Sequence, residues 1–310
     1  MNQNLLILGA NGFFGKAILE HLYLNNSFYK KKFKIITVSS RRTNKINKVL
    51  KKLKNYFNII YLKEDIFNIK KLPNTQYIIY CVLLKNIKKD FKAVQHFSTL
   101  LKKLKKKTHI IFTSSGAVYG EKLSQNKKVK ENINLSKRFN FLDLKKRKYA
   151  YYKLKSESIF EKSSKKGFKI SILRCFAFVG EDLPRYKHFV IGNFINKVLS
   201  LKKIIVKSKN DVIRSYMYQD DLANWVLTIL LRSKKKFDIY NVGSDDPISI
   251  HSLAKILSKK YKIKFISNLN PSKVTDHYLP NIEKAKKVFS LKLRYNSLQA
   301  IFKTINKIKK

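Results

Sequence analysis

Short runs of apolar residues alternate with longer segments of helical periodicity along the first 175 residues. Five of the runs have the length of a buried strand, namely 5–8, 34–38, 59–62, 77–84 and 109–112. Segments with apolar residues at helical spacing occupy 16–24, 91–105 and 149–164. Continuous apolar runs joined by helices are typical of parallel strands buried on both faces. The pattern therefore predicts an α/β fold with a doubly wound parallel sheet, whose ligands lie at the carboxyl ends of the strands.

Three glycines, spaced three residues apart, separate the first strand from the first helix. The loop consists of Gly9, Ala10, Asn11, Gly12, Phe13, Phe14 and Gly15. Glycines at this spacing allow a tight turn, a close approach of the backbone to a pyrophosphate, and close packing of helix on strand. The phosphates would lie at the amino end of the helix. The loop predicts a Rossmann-like dinucleotide site, and a glycine-rich turn without a ligand is the alternative.

The end of the second strand bears on which dinucleotide binds. A carboxylate at this point would hydrogen-bond the adenosine ribose and mark NAD. This chain instead has Ser39 followed by Arg41 and Arg42. Because a small hydroxyl and arginines suit a 2′-phosphate, the sequence favours NADP over NAD; the alternative is that both arginines are solvated loop charges. Asp65 and Ile66 follow the third strand, where the aspartate could meet the adenine.

A tyrosine and a lysine four residues apart suggest proton transfer. Tyr149 and Lys153 would lie on one face of a helix, one turn from each other. An ammonium beside a phenol favours the phenolate, which can act as a general base. Ser115 could hold the substrate hydroxyl whose proton moves. Tyr151 and Lys155 satisfy the same spacing, so the residues alone leave both pairs open.

The formal net charge of +49 first suggests a nucleic-acid partner. Only nine of the 68 basic residues are arginines, however, and the lysines are spread over the whole chain. Specific nucleic-acid readers more often concentrate arginine, whose planar fork matches bases and phosphates. The pattern favours a compositional bias over a nucleic-acid partner, and a preference for polyanions or anionic membranes is the alternative.

Several features indicate a protein of the reducing cytoplasm. The two cysteines, Cys81 and Cys175, each lie in an apolar run and have neither metal-ligand spacing nor a disulfide framework. The chain has no apolar run long enough to cross a membrane, and its opening residues lack the pattern of a signal peptide. Buried, reduced thiols and a cytoplasmic location are therefore expected.

Taken together, the motifs resemble those of the extended short-chain dehydrogenase/reductase family, the nucleotide-sugar epimerases and dehydratases. The resemblance covers essentially the whole chain. Besides the glycine loop, it rests on the segments 114–120, 149–157, 172–180, 214–223, 240–244 and 278–289. It implies an NAD(P)-dependent enzyme that acts on a nucleotide-diphosphate sugar.

The resemblance also implies roles for individual residues. Tyr149 would be the acid/base, Lys153 would hold the nicotinamide ribose, and Ser115 would bind the sugar hydroxyl; the family frame selects this tyrosine over Tyr151. Arg214 falls where members bind the substrate diphosphate, and a surface salt bridge to Asp220 or Asp221 is the alternative for it. Asn193 is a further candidate for the nucleotide pocket.

Departures from the family pattern reduce the number of reactions that the resemblance implies. Gly116 and Ala117 stand where the 4,6-dehydratases carry an Asp-Glu pair, and neither can move a proton, which argues against dehydration. Decarboxylases usually keep a glutamate at the second position, which argues against that branch too. Cys81 replaces a small alanine and could alter how the cofactor sits. The resemblance then implies an epimerase or a 4-ketoreductase, with hydride transfer at a sugar carbon, C4 by analogy, in the supply of surface polysaccharide.

Some relatives keep this fold and cofactor but act as RNA-associated or assembly factors, so a non-catalytic NADP-binding factor is the alternative function. The expected domains are an NAD(P)-binding domain over 1–175 with a return at 237–250, and a substrate lobe over 176–236 and 251–310. Residues 121–148 are polar and basic and predict an exposed loop. Trp225 has the helical spacing of a core residue. The helices at 91–105 and 149–164 match those the family uses to form homodimers.

Overall fold

The structure is a computed structural model that describes residues 3–41, 46–104, 107–120, 128–135, 144–185, 189–208, 210–268 and 274–309. The chain forms two compact units. The first comprises Met1–Val118, Phe139–Cys175 and Ala223–Tyr240, and the second comprises Tyr119–Arg138, Phe176–Leu222 and Asn241–Lys310. The returning segment of the first unit thus begins at Ala223, whereas the sequence suggested 237–250.

A seven-stranded sheet forms the centre of the first unit. Its strands are β1 (Gln3–Leu8), β2 (Phe33–Ser39), β3 (Asn58–Leu62), β4 (Tyr77–Tyr80), β5 (His109–Ser115), β6 (Lys169–Cys175) and β11 (Phe237–Val242). They are ordered β11-β6-β5-β4-β1-β2-β3. The pairings from β3 through β1 and β4 to β6 are parallel. The strand order reverses next to β1, so the predicted doubly wound α/β sheet is confirmed.

Helices follow the strands of this unit, as the apolar spacing predicts. They are α1 (Phe13–Leu24), α2 (Asn26–Tyr29), α3 (Asn47–Leu53), α4 (Ile87–Leu100) and α5 (Leu144–Lys165). The Asn86 side chain caps α4 by accepting hydrogen bonds from the amides of Lys88 and Lys89. Four buried aromatic rings pack together between the sheet and the helices α4 and α5, namely Tyr80, Phe97, Phe112 and Phe160.

Two predicted boundaries were wrong. Strand β4 ends at Tyr80 rather than at residue 84, because the chain turns away there and the Leu84 amide bonds to a side chain of α4. The predicted exposed loop at 121–148 is interrupted, because α5 already begins at Leu144. Val129 is also fully buried and pairs with Pro280 in an isolated bridge of the second unit. Residues 121–127 and 136–143 lie outside the described part of the chain.

In its described residues, the second unit has short strands and five helices or helical segments. The strands are β7 (Phe178–Val179), β8 (Ile204–Val206), β9 (Asp211–Arg214), β10 (Met217–Tyr218), β12 (Ile248–Ser249), β13 (Phe265–Ser267) and β14 (Val274–Tyr278). The helices are α6 (Val190–Leu199), the start of α7 (Gln219–Arg232), α8 (Ile250–Tyr261), α9 (Glu283–Phe289) and α10 (Ser297–Lys309). Strand β9 pairs with both β12 and β14.

Asn241 joins separate segments of this second unit. Its side-chain amide donates to the carbonyls of Val129 and Asn281, and its oxygen accepts from the Tyr119 hydroxyl. All of these contacts are buried or partly buried, where a hydrogen bond left unmade would cost about 1–3 kcal/mol. The asparagine therefore holds the segment around Val129 against the C-terminal segment.

Other expectations from the sequence concern buried residues. Trp225 is fully buried, which confirms it as a core residue. Cys81 and Cys175 are both buried free thiols, as predicted, and burial raises the pKa of the Cys81 thiol to about 12. Among the described residues, no helix combines the length and apolar character needed to cross a membrane.

Candidate active site

The glycine loop between β1 and α1 has little room for side chains. Gly9 has a φ of +87°, and a Cβ there would lie 2.7 Å from the carbonyl oxygen of Cys81. A Cβ on Gly15 would lie 2.5 Å from the backbone of Ala10. The backbone conformation and packing of the loop therefore require glycine at these two positions, whether or not a ligand binds. By contrast, a Cβ on Gly12 would meet only the Gly9 oxygen, at 3.2 Å.

The same loop has unused capacity for hydrogen bonding. The Oδ1 atom of Asn11 is buried and has no hydrogen-bond partner. Helix α1 begins after Gly12, and no side chain caps its first turn. A buried polar atom without a partner and an uncapped helix amino end both fit a polar, anionic group such as a pyrophosphate. The loop therefore fits the phosphates of a dinucleotide.

At the end of β2, Arg41 forms an ion pair with Asp65, with 3.5 Å between Nε and Oδ2. The Arg41 side chain is 68% exposed, and Asp65 also accepts a hydrogen bond from the amide of Phe67. Ser39 is buried at the strand end, and Ile66 packs into the hydrophobic core. The two predicted adenosine-side residues, Arg41 and Asp65, are thus brought together. Arg42 lies outside the described residues.

Helix α5 carries both candidate tyrosine–lysine pairs, on different faces. Lys153 is buried, and its Nζ lies 5.9 Å from the centre of the Tyr149 ring. The Nζ of Lys155 lies 4.6 Å from the centre of the Tyr151 ring, and that tyrosine is exposed. The lysine of the first pair packs against the sheet, because its Nζ also lies 5.5 Å from the ring of Phe112 in β5.

The partner of Lys153 is a residue that sequence reasoning missed. Asp90, in the first turn of α4, is buried, and its Oδ2 lies 3.1 Å from Nζ of Lys153. Burial lowers the pKa of the Lys153 ammonium, but Tyr149 and Asp90 raise it by more, so the pKa lies above its ordinary value. The sequence contained one indication of this role, because an acidic residue on the buried face of an amphipathic helix needs a partner of opposite charge.

Ser115 is the last residue of β5 and is buried, and its hydroxyl accepts a hydrogen bond from the amide of Ala117. The preceding residue ties this strand end to α5, because the Ser114 hydroxyl donates to Oε1 of Glu157 at 2.6 Å. The same carboxylate accepts hydrogen bonds from Nε and Nη2 of Arg174 in β6. The strand end that carries Ser115 is therefore held against the helix that carries Tyr149.

Two of the candidate substrate residues, Asn193 and Arg214, lie in the second unit. The guanidinium of Arg214 donates to Oδ2 of Asp276 at 2.7 Å and lies 5.6 Å from the Tyr278 ring. The alternative partners suggested for it were wrong, since Asp220 and Asp221 both form ion pairs with Arg294. Asn193 is an exposed residue of α6. Within the described ranges, no group of three or more His, Cys, Asp or Glu side chains could hold a metal ion.

Residues 5–243 match the model of the NAD dependent epimerase/dehydratase family. The chain belongs to this family. The resemblance inferred from the motifs is therefore confirmed. A curated relative, the dTDP-D-glucose 4,6-dehydratase of Dictyostelium discoideum, is 28% identical over an alignment of 270 residues that covers 82% of this chain. This family member spans only 61% of the length of that relative.

Solved structures of similar fold cover almost the whole of this epimerase/dehydratase-family chain. A UDP-glucuronic acid 4-epimerase from Bacillus cereus, in complex with NAD, superposes with a TM-score of 0.79 at 18% identity, covering 99% of each chain. The dTDP-glucose 4,6-dehydratase of Bacillus anthracis, also with NAD, gives a TM-score of 0.76 at 17% identity, covering 99% of this chain and 96% of that one. At these identities the likeness supports the fold, and it agrees with the predicted Rossmann-like architecture.

Proposed function

We propose that this chain is an NAD(P)-dependent nucleotide-sugar epimerase or 4-ketoreductase that interconverts an alcohol and a ketone at a sugar carbon. The observation that carries the proposal is the buried Lys153 ammonium beside Tyr149, in a chain of the epimerase/dehydratase family. A buried, protonated lysine close to a phenol favours the phenolate when the tyrosine gives up its proton. That property suits a general acid/base at an alcohol carbon.

In the proposed reaction, the Tyr149 phenolate removes the proton of the sugar hydroxyl during oxidation and returns it during reduction. Ser115 donates or accepts a hydrogen bond at the same hydroxyl and orients it. Lys153 supplies a positive charge beside the reacting phenol, and burial leaves that charge poorly screened by water. The bound nicotinamide supplies the hydride acceptor or donor. An epimerase would use both directions in one cycle, whereas a 4-ketoreductase would use only the reduction.

We assign the dinucleotide to the first unit. The residues proposed to hold the dinucleotide are Gly9, Asn11, Gly12, Phe13, Phe14, Gly15, Ser39, Arg41, Asp65, Ile66, Cys81 and Lys153. The residues proposed for the nucleotide sugar are Ser115, Asn193 and Arg214. Arginine suits a diphosphate because its charge is permanent and its fork can bind two oxygens.

The preference for NADP over NAD remains part of the proposal. Arg41 could pair with a 2′-phosphate, but in this structure it already pairs with Asp65. That carboxylate would repel the phosphate unless the arginine lies between them. Several similar structures were solved with NAD, which supports a site for a nicotinamide dinucleotide in general. The contribution of Arg41 therefore decides between the two cofactors.

Dehydration is not part of the proposed reaction. Removal of water needs an additional acid and base, and Gly116 and Ala117 at the end of β5 offer neither. By family analogy we place the reaction in sugar supply for surface polysaccharide, in the cytoplasm. We also propose a homodimer that forms through the exposed faces of α4 and α5. Light scattering at micromolar concentration tests the dimer, and a monodisperse monomer would contradict it.

The first experiment is a titration of the purified protein with NADH and NADPH, followed by nicotinamide fluorescence. We expect binding of NADPH that Arg41→Ala weakens. Lys34→Ala is the matched control, because Lys34 is an exposed basic residue at the other end of β2. Equal binding of NADPH by both variants would overturn the role of Arg41. Failure of the wild type to bind either dinucleotide would overturn the proposed function.

The second experiment tests the chemistry. Purified protein with NAD or NADPH is incubated with UDP-glucose, UDP-glucuronic acid or UDP-N-acetylglucosamine, and the sugar is followed by NMR. We expect Tyr149→Phe to reduce turnover about 10²- to 10⁴-fold, the usual contribution of a general acid/base. Tyr151→Phe, on the exposed face of the same helix, should leave turnover unchanged. Equal rates for the two variants would exclude Tyr149 as the acid/base.

A further inference from the structure

Asp90 and Lys153 form an ion pair inside the first unit that the proposed reaction does not by itself require. Both side chains are almost completely buried, and Oδ2 of Asp90 lies 3.1 Å from Nζ of Lys153. A buried pair is costly to desolvate and is often replaceable by apolar residues without loss of stability. Its position one turn from Tyr149 therefore suggests a purpose beyond stability.

The second carboxylate oxygen of Asp90 makes a separate contact. Oδ1 accepts a hydrogen bond of 2.9 Å from the amide of Leu84. Leu84 belongs to the segment 81–86, which connects β4 to α4. This segment begins with Cys81, whose carbonyl oxygen would lie 2.7 Å from a Cβ on Gly9. One carboxylate thus holds both the lysine and the segment that borders the glycine loop.

Asp90 lies among groups that can change charge. Tyr149 lies on the same helix as Lys153, and Cys175 at the end of β6 also interacts with the lysine. Tyr80 at the end of β4 interacts with Asp90 and with Cys81, and its pKa is raised well above its ordinary value, first by burial and then by these two groups. Burial likewise raises the pKa values of both cysteine thiols, which stay neutral. Within this group, Asp90 and Lys153 form the buried ion pair.

We propose that Asp90 is a positioning residue for the reaction, whose carboxylate holds the Lys153 ammonium beside Tyr149 and fixes the 81–86 segment next to the glycine loop. A lysine side chain has four rotatable bonds and loses conformational freedom when it is fixed in one position. An anchoring carboxylate fixes the ammonium before any cofactor arrives. The inference rests on the proposed function, since it assigns Asp90 a role in that reaction.

The decisive variant is Asp90→Asn, which keeps the shape of the side chain and an oxygen that can accept from Leu84. It removes one of the interactions that raise the pKa of Lys153, so burial would be opposed mainly by Tyr149 and the pKa of the lysine would fall. The control is Glu161→Gln, which removes one carboxylate from an exposed pair with Lys165 on the same helix.

The measurement is the dissociation constant of NADH and NADPH as a function of pH, which needs no nucleotide sugar. For the wild type and Glu161→Gln we expect an affinity that is constant up to pH 9. For Asp90→Asn we expect the affinity to be about tenfold weaker at pH 7, because one charge-assisted hydrogen bond is lost. The difference in affinity from the wild type should increase toward pH 9, because Lys153 then loses its proton. A profile for Asp90→Asn that coincides with that of Glu161→Gln would overturn the inference.

Stability of the protein without cofactor gives a second readout. Lys153 in Asp90→Asn would be a buried, unpaired cation, so its midpoint of chemical denaturation should be lower at pH 7 and recover as pH rises, because the unfolded chain then binds more protons. Adding Lys153→Met in this background should restore the midpoint at pH 7. If the lowered midpoint is independent of pH and persists in the double variant, Asp90 does not act by compensating the charge of Lys153.

If Asp90→Asn does not fold, Asp90→Glu keeps the charge but displaces it by one methylene. A positioning role predicts weaker dinucleotide binding with an unchanged pH profile, whereas wild-type affinity would overturn the role. The failure of the proposed function itself has a different signature. A wild type that binds neither dinucleotide removes both proposals, whereas a wild type that binds, together with an unaffected Asp90→Asn, removes only this one.

Discussion

Arg174 donates hydrogen bonds to both carboxylate oxygens of Glu157, with distances of 2.8 Å from Nη2 to Oε2 and 3.1 Å from Nε to Oε1. Both side chains are buried, so the pair is not weakened by water. Because Glu157 also accepts from Ser114, one carboxylate joins β5, β6 and α5. This arrangement holds the strand end that carries Ser115 in a constant position relative to Tyr149.

The first prediction concerns that carboxylate. Glu157→Gln should reduce the free energy of unfolding by about 3–5 kcal/mol, because it leaves the Arg174 charge buried without a counter-charge. Chemical denaturation measures the loss. Glu161→Gln, one turn further along α5 in an exposed pair, should change the free energy of unfolding by less than about 0.5 kcal/mol. Similar values for the two variants would mean that the buried pair contributes no more than a surface one.

The glycine loop gives a second prediction, in which stability and binding separate. Gly15→Ala should lower stability, by about 1–3 kcal/mol, because its Cβ would lie 2.5 Å from the backbone of Ala10. Gly12→Ala should leave the fold nearly unchanged, since its Cβ meets only one atom, at 3.2 Å. It should nevertheless weaken dinucleotide binding, because that Cβ projects into the space assigned to the pyrophosphate. Thermal unfolding and NADPH titration of both variants test the contrast, and unimpaired binding by Gly12→Ala would exclude this loop as the phosphate site.

A third prediction follows from the ion pair between Arg214 and Asp276, which are 2.7 Å apart and partly exposed. In the proposed function the arginine binds a diphosphate, so Asp276 competes for it. Asp276→Asn should therefore increase the affinity for UDP by about threefold to fivefold, the value of a partly exposed pair. Arg214→Ala should reduce it. Calorimetric titration with UDP measures both.

Glu283→Gln is the control for Asp276→Asn, because it removes a carboxylate of the same unit from an exposed pair with Lys286. It should leave UDP affinity unchanged. If Asp276→Asn weakens binding instead, Asp276 positions the arginine rather than competing for it.

The fourth prediction concerns pH. Burial raises the pKa of the Asp221 carboxyl to about 6, although Arg294 acts in the opposite direction. The unfolded chain therefore loses this proton near pH 4 and the folded chain near pH 6, so rising pH favours unfolding across that interval. Asp221→Asn should be more stable than the wild type by about 3 kcal/mol at pH 7 and show no such gain at pH 3.5. Urea denaturation at the two pH values measures the difference, and an equal effect at both would contradict the raised pKa.

Much of the first unit was predictable because local patterns determine it. Apolar runs between helical segments indicated the strands, and glycines at fixed spacing indicated the loop after β1, since both depend on neighbours in sequence. The order of several motifs identified the family. The choice of Tyr149 over Tyr151 came from that family frame, and the structure is consistent with it because only Lys153 is buried beside its tyrosine.

The sequence by itself therefore determined the fold class, the glycine loop and the family, because each is a pattern of nearby residues. Only the tertiary structure decided which side chains meet across long separations. Asp90 meets Lys153 over 63 residues, and Arg214 meets Asp276 over 62. Neither acidic residue belongs to a local motif, and in a chain with so many lysines spacing could not select one partner. A charged side chain needs an opposite charge beside it only after the fold has excluded water from it, because an unpaired buried charge is costly. The sequence does not show which charges the fold will bury.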